Sequence, residues 1–203
     1  MLKEKWESTP NVFYKIIRAV LNFFVIHLYK VNWRFKKPYR CSKLVGDNNI
    51  PMFVQKGDII LSYSSGFLTN LFIPGPYTHV GMFLSDLSIV ESTPTKGVKV
   101  SSLDDFLKNK DKIIVLRSRK NLTDDQLQAV CEVALSKVDL PYDFEFDFSV
   151  SENKAFYCSE LIWFSYSSVV DFDFTTRKIL GEYTISPSDF YYARKKWAVR
   201  CKF

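Results

Sequence analysis

The chain has 203 residues, a length that suits one domain, and 47% of them are hydrophobic against 25% charged. This balance, with only 7 Gly and 8 Pro, excludes disordered, collagen-like and repeat proteins, and the 18 Phe and 11 Tyr can fill a large core. The net charge of +6 is uneven, because residues 1–40 contain nine basic and two acidic side chains. The sequence therefore predicts a basic amphipathic helical extension at residues 1–49 and one near-neutral domain at residues 50–203.

From residue 11 to residue 37 polar side chains recur at steps of three, four or eight, which predicts a helix with one polar stripe. Its apolar face must be buried, either against the domain or in an anionic membrane surface. The longest uncharged run, residues 19–29, is shorter than the roughly 20 residues of a spanning helix, and no small-residue cleavage site follows it. We therefore expect a cytoplasmic protein, peripheral on a membrane in the second case, and no nucleic-acid binding, because large apolar residues dominate the segment.

Along the rest of the chain, short apolar or alternating runs predict strands at residues 59–63, 79–84, 88–92, 97–100 and 112–117. Helices are predicted to begin at Ser102 and after the capping box at residues 123–126, the second continuing to Val138. A helix is expected at residues 158–170, and Ser186-Pro187-Ser188-Asp189 is expected to start a last helix that continues from Phe190 to Val199. The mixture lacks a βαβ rhythm and favours an α+β fold around an antiparallel sheet.

Cysteine and histidine are too few and too scattered for a zinc site, since the chain has two His and no CxxC spacing. Reduced thiols inside a cell are the simpler interpretation of the four cysteines. The acidic residues Asp143, Glu145 and Asp147 lack the glycine and later glutamate of an EF-hand loop, and no glycine-rich phosphate loop is present. No metal or cofactor site is predicted.

A thiol nucleophile needs a nearby base and donors for an oxyanion, and Cys158 stands where a helix is predicted to begin. Backbone N–H groups and the positive end of the helix dipole at that position stabilise a thiolate and can receive an oxyanion. His79 starts a strand, and Glu91 lies on the presumed neighbouring strand, where the two side chains can share a face. Such a pair would orient the imidazole. Taken alone, a cysteine in an apolar helix is more often a small buried hydrophobe.

Four segments favour a catalytic over a merely buried Cys158, because they occur together and in a fixed order. They are GDIIL, YTHVGMF, VES and FYCSELI, at residues 57–61, 77–83, 90–92 and 156–162. Their combination resembles the circularly permuted branch of the NlpC-type papain-like superfamily, the YiiX and YebB-like cysteine hydrolases. In that branch the His strand precedes the Cys helix. The resemblance extends over roughly residues 50–200 and implies a small antiparallel sheet or partial barrel packed against the Cys helix.

Carried over by position, the resemblance implies Cys158 as nucleophile, His79 as base, Glu91 as third polar residue and Tyr142 as a donor to the oxyanion. It implies a thiol hydrolase or acyltransferase that acts on an amide or ester bond through a thioester, with no cofactor. Peptide, acyl-amine and lipid substrates stay open. The alternative is a non-catalytic binding module with the same fold, against which the joint presence of Cys, His and Glu argues.

Overall fold

The computed structural model describes residues 53–67, 70, 73–144, 154–171, 177–179 and 182–202, together with three helical residues, Val20, Phe23 and His27. Apart from those three, the predicted N-terminal helix at residues 11–37 and the domain boundary after residue 49 lie outside the described residues. The same holds for Cys41, Glu145 and Asp147. In the part that is described, no helix is both long enough and apolar enough to cross a membrane.

Eight strands are present in the described chain: β1 (Ile59–Tyr63), β2 (His79–Phe83), β3 (Ser88–Thr93), β4 (Gly97–Ser102), β5 (Lys112–Ser118), β6 (Arg177–Ile179), β7 (Glu182–Thr184) and β8 (Trp197–Lys202). Six of them form one sheet in the order β4-β3-β2-β1-β5-β8, and β6 and β7 form a separate hairpin. Every pairing is antiparallel. The antiparallel sheet and the α+β class predicted from the sequence are confirmed, and β1 to β5 lie where the sequence indicated.

The described helices are α1 (Leu103–Leu107), α2 (Asp124–Leu135), α3 (Cys158–Val169) and α4 (Pro187–Tyr192). The Ser102 side chain caps α1 by accepting a hydrogen bond from the Asp105 amide. The predicted capping box opens α2, since Thr123 and Gln126 each accept from the other's backbone N–H. Local sequence signals thus fixed where these two helices begin, although α2 ends three residues before Val138.

Alternation along the strands gives the sheet two apolar faces. One face packs against α2, α3 and α4 through strand residues that include Ile59, Leu61, Val80, Met82 and Val90. The other face is covered by α1 and carries a second cluster that includes Ile60, Phe83, Ile89, Phe106 and Ile113. Both faces of the central strands are therefore buried, which accounts for the short, continuous apolar runs in the sequence.

The last predicted helix does begin at Ser186–Asp189, but its extension to residue 199 is wrong. Helix α4 ends at Tyr192, and residues 197–202 form β8, which pairs with β5 at the edge of the sheet. A turn joins the two and is held by the Arg119 amide, which donates to the Lys196 carbonyl at 2.7 Å. Pairing with a distant strand satisfies backbone groups of β5 that would otherwise form an exposed edge, and a local helical pattern cannot reveal that partner.

Candidate active site

His79 is the first residue of β2, and the loop that leads into it is fixed from two sides. The Thr78 amide donates to the Ser62 carbonyl at 3.0 Å, so the chain is already paired with β1 before His79. The buried Ser188 hydroxyl accepts from the Tyr77 amide at 3.0 Å and donates to the Tyr77 carbonyl at 2.9 Å. These bonds fix the backbone and therefore the direction of the His79 side chain.

Glu91 lies on β3 directly opposite Gly81, so its side chain and that of His79 share one face of the sheet. Its Oε2 atom is 2.6 Å from Nε2 of His79. The side chain of Glu91 is 6% exposed and that of His79 is 18% exposed. The pairing that the sequence predicted is therefore present as a short, largely buried contact.

Gly81 makes room for the aromatic ring that covers this pair. A Cβ atom at Gly81 would lie 2.6 Å from Ile89 Cγ2 and 2.9 Å from Phe106 Cε2, closer than such contacts allow. The absence of a side chain lets Phe106 of α1 approach the strand, where its ring centroid is 5.5 Å from that of His79. This close approach explains why glycine stands two residues after His79.

Cys158 is the first residue of α3, and the residues just before it are tied to two other parts of the chain. The Ser92 hydroxyl donates to the Phe156 carbonyl at 2.5 Å, and the Phe156 amide donates to the Pro141 carbonyl at 3.1 Å. Cys158 is 6% exposed, and its thiol interacts with His79 in a way that raises the pKa of that imidazole. Since Nε2 of that ring is occupied by Glu91, Nδ1 is the nitrogen left to face the sulfur.

Two residues on β4 contact the other oxygen of Glu91, and sequence reasoning missed both. The Ser101 hydroxyl donates to Oε1 at 2.6 Å, and Lys99 Nζ lies 3.0 Å from the same oxygen. Lys99 also donates to the Ser101 hydroxyl at 2.6 Å, which closes a triangle of hydrogen bonds. Lys99 is the direct cross-strand partner of Glu91. Lys99 lies on the predicted strand at residues 97–100 and Ser101 directly after it, so their spacing of two residues was the only signal that could have indicated them.

These contacts govern the charges of the pair. Burial alone would lower the pKa of His79, but its hydrogen bonds to Cys158 and Glu91 outweigh burial, so the pKa of His79 is raised. Burial would raise the pKa of Glu91, but the bond and charge of His79, with the hydrogen bonds from Ser101 and Lys99, hold this pKa far below its usual range. The carboxylate is therefore ionised at neutral pH and favours an imidazolium beside it.

The ordered series of carboxylate, imidazole and thiol at the start of a helix can be compared with known proteins. Residues 53–199 match the family model described as permuted papain-like amidase enzyme, YaeF/YiiX, C92 family. The chain belongs to this amidase family. The predicted resemblance to YiiX-like proteins is thereby confirmed, and YaeF/YiiX is the more accurate label than NlpC. Membership indicates a hydrolase of the amidase type whose substrate is a peptide or another amide.

Relatives of this amidase include viral and bacterial proteins. Protein OPG091 of vaccinia virus (strain Western Reserve) is 27% identical over 141 residues, which cover 66% of this chain and 78% of that protein. Protein OPG091 of monkeypox virus matches with the same identity and coverage. The crystal structure of metalloprotein yiiX from Escherichia coli O157:H7 superposes with a TM-score of 0.62 at 22% identity, covering 74% of this chain and 98% of that one. This last likeness shows the permuted papain-like fold.

Tyr142, the fourth predicted site residue of the amidase, is buried in the same apolar cluster as Cys158. Its ring packs against that of Phe144 with centroids 4.9 Å apart. The segment before it is bound to the edge strand β4, where the Val98 amide donates to the Leu140 carbonyl at 2.9 Å. Gly97 permits this approach, because a Cβ atom there would lie 2.1 Å from the Leu140 oxygen. The structure thus places Tyr142 between β4 and the residues that precede α3.

Proposed function

We propose that this amidase cleaves its substrate through a thioester on Cys158, with His79 as base and Glu91 as the group that orients the base. The observation that carries the proposal is the 2.6 Å contact between Glu91 and His79, together with the interaction of that imidazole with the Cys158 thiol. A Cys–His couple with the base held by a third polar group is the arrangement that activates a sulfur nucleophile. The position of the sulfur at the first residue of a 12-residue helix supports the same role.

In the proposed reaction His79 takes the thiol proton of Cys158, and the thiolate attacks the carbonyl carbon of the amide. The tetrahedral intermediate collapses with cleavage of the C–N bond, and the imidazolium gives its proton to the departing amine. A thioester and neutral His79 remain. Water then adds to the thioester as His79 accepts one of its protons, and return of that proton to the sulfur releases the carboxylic acid.

The oxyanion of both tetrahedral intermediates is proposed to lie against backbone N–H groups of the first turn of α3. Such groups have no partner four residues earlier in the helix and point towards the N-terminal end. Tyr142 is proposed as a second donor through its hydroxyl group. Its burial in the same apolar cluster as Cys158, close to the segment that leads into α3, supports that role.

No step of the proposed reaction passes through a metal ion, although the yiiX protein of Escherichia coli is described as a metalloprotein. Within the described residues of the present chain, no three His, Cys, Asp or Glu side chains converge on one point. Nε2 of His79 is in direct contact with the Glu91 carboxylate at 2.6 Å, which leaves no room for an ion between these two side chains.

The finer choice of substrate is part of the proposal. An acyl-amine or a lipid ester presents the same carbonyl to the thiolate as a peptide does, and an amine or alcohol can replace water as acceptor. The basic segment at residues 11–37 supports a substrate held at an anionic membrane surface, since cationic amphipathic helices bind such surfaces. In this proposal residues 1–49 form an extension that is separate from the amidase domain at residues 50–203.

Alkylation with iodoacetamide tests the nucleophile directly. At pH 6 to 7 we expect rapid modification of Cys158 and slow modification of Cys131, because burial raises the pKa of Cys131 to about 11. His79→Ala should abolish the preference for Cys158, and Cys131→Ser should leave it unchanged. Equal and slow labelling of both thiols in the wild-type chain would refute the proposed nucleophile and favour the binding module.

Mass spectrometry of the intact protein identifies the acyl group. We expect an adduct on Cys158 after single-turnover mixing with N-acyl p-nitroanilides, and its absence in Cys158→Ala. Comparing a peptidyl with a fatty acyl group, with and without anionic vesicles, distinguishes the two substrate classes. Faster loss of the adduct on addition of an amine would indicate acyl transfer, whereas indifference to the amine would indicate hydrolysis.

A further inference from the structure

Both carboxylate oxygens of Glu91 are in contact with other polar side chains. One carboxylate oxygen faces the imidazole of His79 at 2.6 Å, and the other accepts from Ser101 at 2.6 Å and faces Lys99 at 3.0 Å. The Lys99 side chain is 30% exposed, so it is anchored more by these bonds than by burial. A single carboxylate therefore separates two cationic or potentially cationic groups.

We propose that Lys99 is an electrostatic positioning residue, linked through Ser101, which fixes the orientation of the Glu91 carboxylate and limits how strongly His79 holds its proton. This inference rests on the proposed function, in which His79 must both accept a proton from Cys158 and release it to the leaving group. A carboxylate without a counter-charge would stabilise the imidazolium so strongly that the release of the proton is slowed.

The hydrogen-bond triangle supplies the orienting part of this role. Lys99 can donate to both Ser101 and Glu91, so the single proton of the serine hydroxyl is free to point at the carboxylate. With Oε1 held in this way, rotation of the carboxyl group is blocked and Oε2 stays towards His79. A charge-assisted bond of this kind is shorter and stronger than a neutral one.

The groups around the pair include charged, aromatic and uncharged polar side chains. Cys158 on α3 and Glu91 on β3 favour the imidazolium, whereas Lys99 on β4 opposes it. The ring of Phe106 on α1 lies against the imidazole, and Nζ of Lys110, which follows α1, is 5.4 Å from the centre of that ring. The uncharged Ser62 of β1 is the direct partner of His79. Lys99 is thus the cation in direct contact with Glu91 in the described part of the chain.

Lys99 and the imidazole lie at most about 8 Å apart, because one carboxylate bridges them. Two unit charges at that distance interact enough to move a titration midpoint by about one pH unit when the effective dielectric constant is about 20 to 40. We therefore expect that removing the charge of Lys99 raises the midpoint of His79 by about one unit.

The experiment is an NMR titration of the imidazoles in the full chain. The sequence contains two histidines, so His27→Gln leaves one signal, which belongs to His79. In this background Lys99→Met and Lys99→Gln should both raise the midpoint by about one unit, and Lys99→Arg should restore the wild-type value. Ser101→Ala keeps the charge and should shift the midpoint by less than half as much. The matched control is Lys96→Met, which removes an exposed charge from the turn before β4.

An unchanged or lowered midpoint in both uncharged Lys99 variants would overturn the proposal, as would an equal shift in Lys96→Met. The titration needs neither substrate nor turnover, so it is independent of the reaction itself. If Cys158 were no more reactive than Cys131 while the Lys99-dependent shift persisted, the proposed function would fail and the positioning role would stand. A reactive Cys158 with no Lys99-dependent shift would support the proposed function and overturn the positioning role of Lys99.

Discussion

Replacing Glu91 by Gln removes one negative charge beside His79 and keeps the shape of the side chain. Oε2 lies 2.6 Å from Nε2, and the carboxylate is 6% exposed, so water screens the charge weakly. Two unit charges about 4 Å apart interact by about 4 kcal/mol at an effective dielectric constant of 20 and by about 2 kcal/mol at 40. We therefore expect the pKa of His79 to fall by about 1.5 to 3 units, since burial and Lys99 then act without the opposing carboxylate.

The assay is the pH dependence of Cys158 alkylation by iodoacetamide between pH 4 and pH 9. If the reactive form is a thiolate paired with an imidazolium, the wild-type rate persists at pH 6, and Glu91→Gln lowers it there by about tenfold or more. Cys131 of the same molecule serves as the internal reference. Asp105→Asn is the matched control, because it removes an exposed acid from the helix that covers His79.

A Glu91→Gln profile that superimposes on the wild-type profile would refute this reasoning. It would mean that the short contact with His79 has no influence on the protonation of the site. Lys99→Met tests the same network with the opposite sign, because it is expected to raise the midpoint that Glu91→Gln lowers. Midpoint shifts in these opposite directions would tie both variants to the one carboxylate.

Three further outcomes follow from the structure. Gly81→Ala should lower the free energy of unfolding in urea by about 1–3 kcal/mol and slow alkylation of the thiol, because its Cβ displaces Phe106. Arg117→Met should lower the same quantity by about 3–5 kcal/mol, since it leaves the buried carboxylate of Asp58 without its two hydrogen bonds to the guanidinium. The pKa of Glu91 is lowered, so the stability that this carboxylate contributes to the folded protein is lost as the pH falls below about 4. The pKa of His79 is raised, so the stability that the imidazole contributes is complete below about pH 6.5 and is lost at higher pH. The difference in Tm between wild type and Glu91→Gln should therefore be largest near pH 5 to 6.

The strands and the helix starts could be predicted because their signals are local. Short apolar or alternating runs indicated β1 to β5, and the side chains of Ser102 and Thr123 marked two helix starts through hydrogen bonds over three residues. Strand β8 could not be found in this way. Its stability comes from pairing with β5, far away in the sequence, while the preceding residues 190–192 do form a helix. The predicted helix was therefore extended through a strand.

The same distinction applies to the candidate site. His79, Glu91 and Cys158 lie in recognisable segments, and the structure brings these three together. Lys99 and Ser101 belong to no recognisable motif. They reach the site only because the register of β3 and β4 places them beside Glu91. A one-residue change of register would point both side chains to the other face of the sheet. Charge partners of this kind follow from the pairing of strands, which a single sequence does not specify.

The order of the proposed reacting groups along the chain has a consequence for how the enzyme acquires its reactivity. The bond between His79 and Glu91 spans 12 residues, whereas the bond from Ser92 to Phe156, which places Cys158, spans 64. Closing the longer loop costs more entropy, and such contacts form late in folding. A newly made molecule that has formed its β2–β3 hairpin but not docked α3 then carries a base without a nucleophile. Its cysteine lies apart from the proposed base, so under the proposed mechanism such a molecule has no activated thiol.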